Sequence, residues 1–73
     1  MENNTIQTLI NEKKYFEIRK YLNELNTVEV SELLNQFESS ELIMIFRLLS
    51  KNRAADVFSY LDTEHQEMII NTM

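Results

Sequence analysis

A unit of twelve residues recurs through most of this chain, and no other feature restricts its fold so tightly. Divided after apolar residues, the sequence reads "KYFEIRKYLNEL" (14–25), "NTVEVSELLNQF" (26–37), "ESSELIMIFRLL" (38–49), "SKNRAADVFSYL" (50–61) and "DTEHQEMIINTM" (62–73). The fifth position holds Ile18, Val30, Leu42, Ala54 and Gln66, and the eighth holds Tyr21, Leu33, Ile45, Val57 and Ile69. The ninth holds Leu22, Leu34, Phe46, Phe58 and Ile70, and the twelfth holds Leu25, Phe37, Leu49, Leu61 and Met73. Positions 5, 8, 9 and 12 follow the i, i+3, i+4, i+7 spacing of one helix face.

A continuous helix cannot use this pattern. Each residue turns a helix by about 100°, so a step of twelve rotates the apolar face by about 120° and carries it away from any partner. The helix must therefore break in every unit. Residues suited to that lie at the unit boundaries: Asn26 with Thr27, Ser39 with Ser40, Ser50 with Asn52, and Asp62 with Thr63. Their side chains accept hydrogen bonds from the free N–H groups of a starting helix. Thr63 with Gln66 reads as a capping box. Helices of about nine residues are unstable alone in water, so each must bury its stripe on its neighbours. The expected fold is all-α, a solenoid-like stack of about six short helices with contacts mainly between adjacent units. The sixth helix comes from the N-terminal segment that carries Ile6, Leu9 and Ile10.

Composition agrees. The chain has no glycine and no proline, which removes phosphate-binding glycine loops and disfavours tight β-hairpins. It has no cysteine, hence neither disulfides nor thiolate metal sites. At 73 residues it makes one small domain, which buries roughly 60% of the surface its unfolded chain exposes. A net charge of −5 argues against a nucleic-acid or anionic-membrane surface, and suits a basic partner or divalent cations. No apolar run approaches the roughly 20 residues of a membrane span, and "MENNTIQTLI" lacks the segments of a signal peptide. A soluble, cytoplasmic domain is expected.

No catalytic constellation is present. The single histidine, His65, falls in the first turn of the last helix and is expected to face solvent. With no cysteine and no second histidine, a zinc set cannot be assembled in any usual form. Glu29 with Glu32, Glu38 with Glu41, and Glu64 with Glu67 each share a helix face. Such pairs can hold Mg²⁺ loosely, but acids are also favoured at helix N-termini by the dipole, and that reading prevails. Arg47 and Arg53 are expected to pair with acids on adjacent turns. The aromatics Tyr15, Phe16, Tyr21, Phe37, Phe46, Phe58 and Tyr60 are read mostly as core, and Met44 and Met68 as adaptable packing beside the stripe.

The stretch "FRLLSKNRAADVFSYLDTEHQEMII", with the preceding "FEIRKYLNELNTVEVSELLNQF", resembles the intracellular N-terminal domain of the MgtE family of magnesium transporters. The matching positions are Phe46, Arg47, Leu48, Leu49, Lys51, Ala54, Ala55, Asp56, Val57, Leu61, Glu64 and Gln66. The resemblance implies a right-handed superhelix of short helices, with residues 1–73 forming one MgtE N-like domain of a longer protein. In that family the domain is cytosolic and joined through CBS domains to a transmembrane Mg²⁺ pore. It closes on the CBS domains through acidic surfaces when Mg²⁺ is high. Asp56 occupies the position of an acid facing that interface, so the resemblance makes it a weak Mg²⁺ ligand. Prolines common in the family's turns are replaced here, for example by Ser50 and Thr63.

Two other readings compete. The flagellar motor switch protein FliG carries a similar alanine–alanine–acid stretch, but "ESSELIMIF" stands where its Glu-His-Pro-Gln run belongs. A free-standing helical interaction module is the other. The last unit ends with Met68, Ile69, Ile70 and Met73 and no polar cap, so the chain is expected to continue or to meet a partner there, a dimer through that helix included.

Overall fold

In a computed structural model of the chain, residues 2–72 are described, without the side chains of residues 2–5 and 39. Among them are six α-helices and no strand: α1 (Glu2–Asn11), α2 (Tyr15–Asn23), α3 (Thr27–Leu34), α4 (Ser39–Arg47), α5 (Lys51–Tyr60) and α6 (Thr63–Thr72). Linkers of two to four residues join them. Their local causes are legible. Asn26 accepts from the Glu29 N–H at 2.8 Å while the Glu29 carboxylate accepts from the Asn26 N–H at 2.9 Å, a complete capping box at the start of α3. Ser50 accepts from the Arg53 N–H at the start of α5. Before α4, Glu38 occupies the cap position without a side-chain bond, and the side chain of Ser39 lies outside the described residues.

At the start of α6 the sequence expectation needs correction. Asp62, not Thr63, is the capping residue: its Oδ1 accepts from the His65 N–H at 2.9 Å. Gln66 does not reach back to close a box. Its amide donates to the Phe58 carbonyl at the end of α5, 2.8 Å away. That carbonyl also accepts from the capping Leu61 N–H at 3.1 Å, and the Gln66 amide fills its second acceptor site.

Among the described residues, the turn between α1 and α2 is the one place where the absent glycine matters. The Lys14 N–H donates to the Leu9 carbonyl and the Lys13 N–H to the Ile10 carbonyl, both at 3.0 Å. This is the paired bonding of a Schellman turn, with Lys13 in the left-handed region at φ 58°. A side chain at such a position costs about 1–2 kcal/mol, part of which glycine gives back through its freer unfolded chain. Lys13→Gly should therefore raise stability by about 0.5–1 kcal/mol in urea unfolding. Lys13→Ala should not.

The core is the stripe. Ile18, Leu22, Val30, Leu33, Leu34, Phe37, Leu42, Ile45, Phe46, Val57, Leu61 and Ile69 are buried, joined by Ile6 and Ile10 of α1 and by Ile43. Phe46 and Phe58 meet edge to face, with centroids 6.4 Å apart. Four apolar residues depart from the expected burial. Ile70 is 63% exposed, and Tyr15, Phe16 and Tyr60 are also exposed rather than core, because they occupy unit positions off the 5-8-9-12 face. Met73 lies outside the described residues.

Packing also differs from a simple neighbour-to-neighbour stack. The most extensive contact is α3 on α5; α1 packs on α2, α4 on α6, and α3 more lightly on α4. With linkers this short, a helix of eight to ten residues finds much of its lateral partner one helix further along. The molecule measures 27 × 22 × 21 Å, so six such helices form a nearly isometric body, not a rod.

Candidate functional site

Asp56 lies in the middle of α5 with its side chain exposed; the Ser59 hydroxyl donates to its backbone carbonyl at 2.7 Å. Of the alanines before it, Ala54 is half-buried against the core and Ala55 is exposed, so only the first belongs to the packed face. Among the described residues no group of three or more His, Cys, Asp or Glu side chains is placed to hold a metal ion. Asp56 could thus offer Mg²⁺ one carboxylate, leaving most of the octahedral shell to water or to a partner.

Of the three acid pairs, two are partly engaged in holding the fold. Glu29 closes the α3 capping box, and Glu41 accepts from the Gln7 amide at 3.2 Å, tying α1 to α4. Glu32, Glu38, Glu64 and Glu67 are exposed. Met44 and Met68 are half-buried against the core and line a groove between α4 and α6 with Ile43 and Arg47, as expected of packing residues.

The polar groups with the most specific geometry are two that the sequence misplaces. Arg53 does not pair with an acid. Its guanidinium donates to the Leu22 carbonyl at 3.0 Å, which also accepts from the Leu25 N–H, and to the Leu25 carbonyl at 2.7 Å, just past the end of α2. A cation there also complements the negative end of the helix dipole.

His65 does not face solvent. It is 4% exposed, with Nδ1 at 2.6 Å from Asp62 Oδ1 and Nε2 at 2.7 Å from the Phe37 carbonyl beyond the end of α3. An ionised Asp62 and a backbone carbonyl can only accept, so the ring makes both bonds at once only when it carries both protons. Burial opposes the charge. The Asp62 carboxylate, the Phe37 carbonyl and the negative charges of Asp62 and Glu38 outweigh that and raise the His65 pKa above its usual value. Asp62 is held below the ordinary carboxylate range, first by the backbone N–H of His65 and then by its ring. The signal was present in the sequence as an acid three residues before a histidine, but nothing local reveals the Phe37 carbonyl.

The family comparison bears on these helices directly. The model of the MgtE intracellular N domain matches residues 25–73, which contain α3 to α6 and Asp56. The chain belongs to this family. No curated protein and no solved structure matches it. The MgtE N domain is the intracellular domain of a family of magnesium transporters, not of enzymes. No helix among the described residues of this MgtE N domain is long and apolar enough to cross a membrane. Helices α1 and α2 precede the matched segment.

Proposed function

We propose that this chain is the cytosolic Mg²⁺-sensing and gating domain of an MgtE-type transporter. It acts through an acidic interface with the CBS domains that precede the membrane pore of the same protein. The observation that carries this reading is the family match over residues 25–73. Asp56 supports it as an exposed acid inside that segment. In this reading Asp56 is a weak Mg²⁺ ligand whose remaining partners come from the facing domain. Residues 1–73 are one domain of the parent protein, and Ile70, apolar and exposed on α6, lies on a face open to a further domain or a second copy.

The right-handed superhelix of twelve-residue units belongs to the same reading. Helices beginning at Tyr15, Thr27, Ser39, Lys51 and Thr63 support it. So does a recurring long-range bond: Arg53 to Leu25 and His65 to Phe37 both span 28 residues. One unit separates the two bonds, and each places a basic side chain on a carbonyl just beyond a helix end.

Backbone NMR during Mg²⁺ titration tests the ligand. Small shifts that do not saturate, centred on Asp56 and absent in Asp56→Asn, are expected of the isolated domain. Addition of the parent's CBS domains should convert them into a saturable response. Tight saturable binding elsewhere, or CBS domains that leave the response unchanged, would reject it.

A further inference from the structure

The charge of this chain is unevenly distributed. Residues 13–20, "KKYFEIRK", hold Lys13, Lys14, Arg19 and Lys20 against a single acid, Glu17, while the rest of the sequence holds three cations and eleven acids. All four cations are exposed. Between them stands Phe16, 74% exposed, beside Tyr15 at 44%. The Schellman turn at Lys13 brings Lys14, Tyr15 and Phe16 directly onto the first turn of α2. Shallow depressions flank the Phe16 ring, one beside Lys13, Lys14, Tyr15 and the lone acid Glu17, the other beside Arg19 and Lys20. Lys14 pairs with Glu12 at 3.4 Å, but an exposed pair of this kind holds neither group firmly.

We infer that the α1–α2 turn and the outer face of α2 form a docking surface for an anionic lipid bilayer, with Phe16 entering the headgroup region and the four cations resting on it. Charge complementarity selects an anionic partner for this face of an otherwise acidic chain. Shape selects the bilayer among such partners. A protruding ring needs no matching pocket in a soft interface, where aromatic residues bordered by Lys and Arg are favoured. Helix-in-groove recognition would need an apolar groove, and single-stranded nucleic acid a continuous basic track; here Phe16 divides two short basic hollows. The net charge of −5 had argued against such a surface, because an average hides segregation. This inference goes beyond the transport reading and stands on residues outside the family match.

The chain contains no tryptophan, so single replacements can report on each face. Phe16→Trp should show a blue-shifted emission with vesicles of phosphatidylcholine containing 30% phosphatidylserine. It should show none with pure phosphatidylcholine, and lose the shift in 0.5 M salt. Tyr60→Trp, on a ring 59% exposed in α5, should not respond. Changing Lys13, Lys14, Arg19 and Lys20 to Gln should weaken vesicle partitioning about fivefold per cation. No shift at position 16, an equal shift at position 60, or a shift that follows protein concentration without vesicles would overturn the inference. The last result would assign the face to a second copy of the chain, and binding of an acidic peptide but not of vesicles would assign it to a protein.

Discussion

Raising the pH from 6 to 9 should lower the melting temperature of this domain, and His65 should be the cause. Folded His65 holds its proton more tightly than the unfolded residue, whose reference value is 6.5. Its contribution is therefore complete below pH 6.5 and is lost as the pH rises through the folded pKa. The physical event is loss of one of the two ring protons, which leaves either Asp62 or the Phe37 carbonyl facing an acceptor. Asp62 works in the opposite direction. Its folded pKa lies below the reference value of 3.8, so its contribution is present above that pH and disappears as the pH falls through the folded value. Stability should accordingly plateau between about pH 4 and 6.5, with one shoulder on each side. His65→Leu removes both ring bonds and strands a buried carbonyl, at a cost of about 3 kcal/mol near pH 6. It should also flatten the alkaline shoulder. Should that variant not fold, the imidazole resonances of the unaltered chain decide: an apparent pKa at or below 6.5 would defeat the argument.

Arg53 supplies the second large effect. Arg53→Ala should cost about 2 kcal/mol, because two carbonyls at the end of α2 lose charge-assisted bonds in a partly buried setting. For a domain of this size that is a fall of roughly 10 °C in melting temperature. Arg53→Lys should recover about half of the loss, since an ammonium keeps the charge but lacks the planar fork that reaches two carbonyls. Full recovery by lysine would mean that charge at the helix end matters and the fork does not. The two predictions also separate by pH. Variants at Arg53 leave the His65–Asp62 pair in place, so they should shift the whole stability profile without changing its shape.

Much of the architecture was readable from spacing. The unit boundaries placed the starts of α2 to α6, and Asn26, Ser50 and Asp62 cap where short polar residues interrupt the apolar pattern. The buried set at the fifth, eighth, ninth and twelfth positions follows from helix geometry, with Ile70 the clear exception. Of the candidate site, Asp56 falls at the seventh position of its unit, off the 5-8-9-12 face, and it is exposed. The ligand role assigned to it came from family resemblance.

Periodicity specifies which side of a helix is apolar, and that is a property of one chain segment. It therefore determined six short helices, their breaks and most of their buried residues. It could not say which helix lies across from which, because that depends on how linkers of two to four residues turn in three dimensions. Only the tertiary structure set α3 against α5 and α4 against α6. Only it carried Arg53 and His65, polar residues beside the stripe, to carbonyls 28 residues earlier. A carbonyl freed at a helix end must find a donor, and the donor close enough in space need not be close in sequence.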